Sequence, residues 1–174
     1  DSSDSLTIGL GSALGTTSHM VIDANGHITK PLQSAFSAHK NGSTQSNLAN
    51  NTDVTITFDT ERFDVNSDYN TSNSTFTAPV TGKYFLSVSI RFGNFDIDPD
   101  YIIVWISTSN ETYRVLIDPN FTADLNFFSM TSTVLADMDA GDTAKVEFNQ
   151  SAGATIVDAE GSPNYTYFTG CLVC

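Results

Sequence analysis

The sequence predicts an all-β protein, an antiparallel sandwich of about ten strands that follows a short N-terminal β arm. Segments rich in Thr, Val, Ile, Phe and Tyr recur at short spacing, and clusters of turn residues separate them. No stretch keeps a helical period over four turns. Since no helices alternate with the strands, the chain lacks the pattern of parallel βαβ units, and antiparallel pairing follows.

The composition predicts one folded domain. A chain of 174 residues with 40% hydrophobic side chains is long enough to bury a sizeable core. Its 12 Phe and 6 Tyr residues favour a folded β protein over a disordered chain. There is no run of 18 apolar residues, so the sequence predicts no membrane insertion.

The chain is strongly acidic, with 20 Asp and Glu, seven Lys and Arg, and a net charge of −13. Nucleic acid is disfavoured as a partner because phosphate binding needs clustered basic side chains. An anionic membrane surface is disfavoured for the same reason. The acidity is typical of a protein that stays soluble in a salty medium.

Residues 1–33 are predicted to form the arm, and residues 34–174 the head. In residues 6–15 apolar side chains alternate with small ones and Gly recurs. The pair Asn25-Gly26 lies between two short apolar segments and predicts a hairpin with a two-residue turn. Because so small a segment cannot bury a core of its own, we expect it to contact neighbouring chains.

Ten strands are predicted in the head, at residues 34–39, 54–60, 65–70, 74–77, 83–92, 101–108, 111–117, 126–137, 143–150 and 165–173. The central strand, residues 83–92, alternates with a period of two, and Tyr84, Leu86 and Val88 share its apolar face. Its other face places Phe85 among small polar residues, which predicts that a second surface packs there.

The segment 101–106, Tyr-Ile-Ile-Val-Trp-Ile, is apolar on both faces. A strand with two apolar faces is typically buried on both sides. We therefore expect this strand to be covered on both faces.

Five motifs in the head carry a family resemblance. The central stretch has Phe76, Pro79, Gly82 and Tyr84 at the spacing F-x-x-P-x-x-G-x-Y. The other four are Ala35–Ala38, the segment from Phe58 to Tyr69-Asn70, Ala140–Val146 and Phe168–Leu172. In their order along the chain they resemble the complement C1q-like globular head, a relative of the tumour necrosis factor fold. The chain departs from the family at Leu86, where an aromatic residue is usual, and at its Cys171/Cys174 ending.

The resemblance implies a jelly roll that assembles as a homotrimer. The arm is similar to the β connectors that precede such heads in phage and virus structural proteins. Core positions are then expected at Phe36, Phe76, Tyr84, Leu86, Val88, Phe168 and Leu172. Strand parity and the resemblance together predict a trimer interface at Phe85, Ser87, Ser89, Arg91, Thr169, Cys171 and Val173.

Asp96, Asp98 and Asp100 place three carboxylates at alternating positions in one loop. Calcium takes such oxygen ligands, and some members of the resembled family bind calcium near the trimer apex. The loop lacks the Gly and the terminal Glu of an EF-hand, so a solvated acidic turn is the competing interpretation. Calcium is the one cofactor that the sequence suggests.

The two cysteines, Cys171 and Cys174, have the C-x-x-C spacing of redox and zinc sites. On a strand, however, residues three apart face opposite sides, too far apart for a disulfide. No second C-x-x-C supplies further zinc ligands. We expect two unbonded thiols.

The sequence does not indicate an enzyme. The three histidines lie in the arm and at the end of the first head strand, and no Gly-x-Ser-x-Gly, His-Glu-x-x-His or phosphate-binding Gly loop is present. Folding could still bring two acids together as in a glycan hydrolase, which is the enzymatic alternative.

Together these features predict a trimeric, non-enzymatic module on a virion surface. Its leading role is attachment to a host-surface glycan or protein receptor at a fibre or spike tip, with residues 1–33 contacting other virion proteins. A capsid decoration or cement protein is the second possibility. A secreted, lectin-like or cytokine-like head is the third, for which some of the eight Asn-x-Ser/Thr sites would carry glycans.

Overall fold

The computed structural model describes residues 5–9, 18–95, 98–153 and 157–174. Within these ranges the chain forms strands and turns without a helix, and every strand pair is antiparallel. The predicted all-β class is confirmed. In the described part of the chain no helix is long and apolar enough to cross a membrane.

Three strands form the arm and twelve form the head. The arm strands are β1 (Leu6–Gly9), β2 (Ser18–Ile22) and β3 (Ile28–Thr29). The head strands are β4 (Ala35–His39), β5 (Val54–Thr55), β6 (Thr60–Asp64), β7 (Tyr69–Asn70), β8 (Thr75–Thr77), β9 (Gly82–Phe95), β10 (Tyr101–Thr108), β11 (Thr112–Ile117), β12 (Leu125–Met138), β13 (Thr143–Ser151), β14 (Asp158–Ala159) and β15 (Tyr167–Leu172).

The head strands build two sheets of six that face each other across one core. The central sheet has the order β12-β9-β15-β4-β6, with β14 pairing β9. The outer sheet has the order β11-β10-β13-β8-β7, with β5 pairing β13. The long strand β9 therefore lies between β12 and the closing strand β15.

The core is an aromatic cluster. Phe36 is fully buried, and its ring centroid lies 5.0 Å from Tyr69, 4.7 Å from Phe76 and 5.0 Å from Phe168. The other expected core residues lie in the same cluster, with Leu172 partly buried at its edge; these are Tyr84, Leu86, Val88 and Leu172.

Gly170 lets β15 approach this core. A Cβ atom at Gly170 would lie 2.7 Å from both Leu86 Cδ2 and Phe36 Cε1. At this position the backbone of β15 packs directly against core side chains, so the motif Phe168–Leu172 needs glycine at position 170.

In the part that the structure describes, the head has twelve strands where the sequence predicts ten, because β6 and β14 have no predicted counterpart, and two predicted strands are much shorter in the structure. The predicted strand at residues 54–60 is divided in the structure. Val54–Thr55 forms β5, the Ile56 N–H donates to the Val146 carbonyl at 2.9 Å, and Thr60 already belongs to β6. Between them the Gln45 side chain takes the place of a neighbouring strand. Its amide donates to the Thr55 carbonyl at 3.0 Å and accepts from the Thr57 N–H at 3.0 Å.

The predicted strand at residues 65–70 is interrupted by a turn. Asn66 and Ser67 adopt left-handed φ angles of 70° and 59°. The Asp64 carboxylate accepts hydrogen bonds from the N–H groups of Asp68 and Tyr69, at 3.1 and 3.0 Å. A short acidic side chain that bonds nearby backbone stabilises a turn in place of a strand. Pairing resumes only at β7.

The arm forms a sheet in the order β1-β2-β3. The expected hairpin joins β2 and β3, but its loop has three residues, Ala24 to Gly26, in place of the predicted two, since the Asp23 N–H donates to the His27 carbonyl at 3.0 Å. Gly26 has a φ of 84°, and the Asp23 carboxylate accepts from the N–H groups of Asn25 and His27. Leu6, Ile8 and Ile28 remain more than half exposed. The arm therefore presents apolar side chains that a neighbouring chain could cover.

The expectation that residues 101–106 are covered on both faces holds at Trp105, which is 4% exposed on the outward face, but not for the whole segment. Ile102, Val104 and Ile106 fill the core, but on the opposite face Tyr101 remains 38% exposed. In the described part of the chain, both sheets keep one outward face, and β10 belongs to the outer sheet.

A candidate interaction face on the central sheet

The outward face of the central sheet is formed by alternate residues of neighbouring strands. Phe85 of β9 lies opposite Leu135 of β12 on one side and opposite Cys171 of β15 on the other. Two positions further along β9, Ser87 lies between Thr133 and Thr169 in the same way. The alternating residues of β9 and β15 that were predicted to point outward therefore share one face, because β15 is the direct neighbour of β9.

The structure places all the expected interface residues on this one face, hereafter the β9 face. They are Phe85, Ser87, Ser89, Arg91, Thr169, Cys171 and Val173. Whether a neighbouring chain covers them stays a prediction.

The sequence interpretation missed four further apolar residues of the β9 face. Their exposed fractions are 51% for Phe63, 58% for Phe127, 59% for Leu135 and 50% for Tyr165. Phe85 and Val173 add 41% and 49%. A sheet face with this many exposed large apolar side chains is unusual in a protein that works as a monomer.

The hydroxyl groups at the centre of the face are already paired within the chain. The Ser87 and Thr133 hydroxyls lie 3.0 Å apart, and the Thr169 hydroxyl donates to the Phe36 carbonyl at 2.7 Å. Ser89 donates to the Tyr165 carbonyl at 3.1 Å. Because these hydroxyls keep their partners when water leaves, covering the face costs little in unsatisfied hydrogen bonds.

Arg91 lies at one end of the face between two aromatic rings. Its guanidinium carbon is 4.1 Å from the Tyr165 ring centroid and 4.8 Å from that of Phe127. Glu160 Oε2 lies 3.5 Å from Nη2 and offsets the charge. The cation–π contacts hold both rings in place, at roughly 0.5–1 kcal/mol each where exposed.

His39 at the far end of β4 gives this sheet a pH dependence. Its side chain is only 8% exposed, and burial, together with the Arg62 charge, lowers the pKa of His39 against an opposing effect of Asp59. The unfolded chain then binds more protons just below pH 6.5, so stability falls as the pH drops from 6.5 towards the folded-state pKa.

We expect the wild-type chain to lose more stability than His39→Gln between about pH 7 and about pH 5. Urea unfolding of both proteins at several pH values measures the difference. Parallel pH profiles would show that His39 does not contribute.

The predicted calcium residues are only partly described. Asp96 lies outside the described residues, and Asp98 and Asp100 are both exposed. The Asp100 N–H donates to the Ser151 carbonyl at 2.9 Å, which joins the loop to β13. Among the described residues no three His, Cys, Asp or Glu side chains are grouped to hold a metal ion. Calcium therefore stays a prediction of the sequence.

The two cysteines are unbonded, with Cys171 half-buried on the β9 face and Cys174 exposed. Cys174 has a structural contact, since its carbonyl accepts from the Lys83 N–H at 2.7 Å. This bond closes the C-terminus onto β9.

One surface depression contains several acidic side chains, the kind of group that a glycan hydrolase would need. Asn110, Glu111, Tyr113, Asp137 and Asp139 line it. Asp137 forms an ion pair with Lys83, and Asp139 accepts a hydrogen bond from Thr81 at 3.2 Å. These two carboxylates are engaged by neighbouring side chains, an arrangement that matches a structural role.

The model of the C1q domain family matches residues 35–173. No curated protein matches the chain in sequence. Among solved structures, the globular domain of zebrafish complement 1qA protein aligns with a TM-score of 0.60 at 16% identity, covering 82% of this chain and 98% of that one.

Two other solved structures are similar in fold. Murine APRIL aligns with a TM-score of 0.58 at 14% identity, covering 81% of this chain and 99% of that one. Eiger TNF from S. frugiperda aligns with a TM-score of 0.57 at 17% identity, covering 82% and 94%. At these identities the likeness supports the jelly-roll fold.

Proposed function

The chain belongs to the C1q domain family, whose members are typically non-enzymatic binding modules, and from this premise we propose that it acts as a homotrimeric binding head. The observation that carries the proposal is the β9 face, with its six exposed large apolar side chains. Three copies related by a threefold axis would bury this face against itself, since closed cyclic assembly is the common way to cover such a surface.

Two polar features of the β9 face support burial in an assembly. The acids that border it, Asp137 and Glu160, each form an ion pair, with Lys83 and Arg91. The serine and threonine hydroxyls of the face already have partners within the chain, so they stay satisfied when the face is covered.

Light scattering should give a mass three times that of one chain at micromolar concentrations. Three copies bring together 3 × −13 = −39 formal charges, so association is expected to strengthen as sodium chloride screens their repulsion. A single-chain mass at every protein and salt concentration would contradict the proposal.

Calcium can be tested in the same measurement. If Asp96, Asp98 and Asp100 bind it, millimolar calcium should raise the melting temperature of the assembly more than sodium at equal ionic strength. An equal effect of the two salts would mean that screening alone acts.

The biological role that we assign to this head is attachment, on a virion surface, to a host glycan or protein receptor. The arm supports a position at the end of a larger structure, because its exposed Leu6, Ile8 and Ile28 are suited to contact other virion proteins. Immunogold labelling of purified particles at fibre or spike tips tests this role. Uniform labelling of the shell would instead favour capsid decoration, and recovery of the glycosylated protein free in the medium would favour a secreted head.

A further inference from the structure

A pocket on the outward face of the outer sheet is not used by the proposed trimer. It lies on the side of the sandwich opposite the β9 face, since β10, β11 and β13 belong to the other sheet. Its residues are Asp53, Tyr101, Ile103, Trp105, Arg114, Leu116 and Asn149, and its volume is about 180 Å³. We call it the β10 pocket.

The floor of the β10 pocket is apolar. Tyr101, Ile103 and Trp105 alternate along β10 and so point to the same side of the sheet. Leu116 lies opposite Ile103 on β11 and is 58% exposed. Trp105 is only 4% exposed, although it lies on the outward face.

Trp105 is held in one orientation by its cross-strand neighbours. Its indole N–H donates to Glu147 Oε2 at 3.0 Å, and the Arg114 guanidinium lies over the ring at 5.6 Å. Lys145 forms an ion pair of 2.8 Å with Glu147 and neutralises that carboxylate. The pocket is therefore preformed, with its aromatic side chain already ordered.

The polar groups of the pocket lie at opposite sides of this floor. Asn149 Nδ2 donates to Asp53 Oδ1 at 2.6 Å on the β13 side, and Arg114 lies on the β11 side. Arg114 forms none of the ion pairs found among the described residues. The Asp53 carboxylate can accept a further hydrogen bond, and the Arg114 guanidinium can donate one.

We propose that the β10 pocket binds one neutral hexopyranose unit of a glycan. A pyranose ring presents a face of C–H groups, which would pack on Tyr101 and Leu116, and hydroxyl groups around its edge. These hydroxyls would donate to Asp53 and accept from Arg114 and Asn149. The volume is below the roughly 300–1,000 Å³ of pockets for drug-sized ligands, which suits a single ring.

The charges of the pocket favour a neutral ligand over its rivals. An anionic sugar would meet Asp53 and the field of a chain with net charge −13, whereas a cationic ligand would meet Arg114. A purely apolar ligand would gain no hydrogen bond from the Asp53 carboxylate and the Arg114 guanidinium, which are exposed and would stay hydrated beside it. The inference rests on the proposed function, since it supplies the receptor chemistry of the attachment head.

Saturation-transfer NMR on the full chain tests the pocket, with the methyl glycosides of glucose, galactose, mannose and N-acetylglucosamine as probes. At least one should bind, with a Kd of about 1 mM and the strongest transfer to protons of one ring face. Tyr101→Ala and Asp53→Ala should each weaken that binding about tenfold or more, since each removes one of the few side chains that would contact the ring directly.

Thr112→Ala is the matched control, because Thr112 lies on the same strand and the same face as Arg114 but outside the pocket. It should bind like the wild type. The proposal is overturned if no glycoside binds, if N-acetylneuraminic acid binds more tightly than every neutral probe, or if both pocket variants bind normally. If the protein has the mass of a trimer but binds no glycoside, the proposal for the β10 pocket fails while the proposed trimeric head is unaffected.

Discussion

Replacing Phe36 by alanine is expected to lower the free energy of unfolding by about 3–5 kcal/mol. Phe36 is fully buried and contacts three other aromatic rings, so the truncation removes those contacts and leaves a cavity between the two sheets. Domains of this size are typically stable by only about 5–15 kcal/mol. The change therefore removes a large fraction of the total stability, and urea unfolding measures it.

Tyr101→Ala is the control for this experiment. Tyr101 is also an aromatic residue of a head strand, but it is 38% exposed and lies away from the β9 face. Its loss should change stability by no more than about 0.5 kcal/mol. Both variants must be compared at one protein concentration, because assembly couples to unfolding. If both variants lose the same free energy of unfolding, the aromatic cluster is not the main source of the head's stability.

The faces of β9 and β15 could be predicted because they depend on local sequence alone. A period of two assigns Tyr84 and Leu86 to one side and Phe85 and Ser87 to the other, whatever the strand pairs with. The same parity places Phe168 in the core. These assignments need no knowledge of the rest of the chain.

The composition of the β9 face could not be predicted in the same way. Leu135 faces Phe85 because β12 pairs with β9 in one register, and register depends on contacts between residues 50 positions apart. The sequence predicts a strand at residues 126–137, but its local pattern does not indicate which strand it pairs with. Likewise, no signal near Gln45 indicates that its side chain replaces the ladder bonds of residues 55–57.

The sequence predicted only part of the β10 pocket. The two-sided apolar pattern of residues 101–106 predicted burial on both faces, and Trp105 is indeed buried. Its cover, however, comes from side chains on neighbouring strands, including Arg114 and Glu147, and not from a further layer of structure. Long charged side chains can cover an aromatic ring, and no period in a single strand reveals this.

Leu135→Asp is expected to dissociate the proposed trimer while the head stays folded. Leu135 is 59% exposed in one chain and lies beside Phe85, so the free chain tolerates a charge there. In the assembly the same carboxylate would be buried in three copies, without a partner and near one another, in a protein of already high negative charge. Light scattering should give a single-chain mass, and circular dichroism should retain the β spectrum.

Ala136→Asp provides the matched comparison, since it places the same charge one residue further along the same strand. Ala136 is fully buried and lies opposite Tyr84, so an aspartate there would enter the core between the sheets. That variant should fail to fold at neutral pH, because an unpaired buried carboxylate costs several kcal/mol. A folded trimer of Leu135→Asp would mean that the β9 face is not the interface, whereas unfolding of both variants would show that residue 135 supports the chain's own fold.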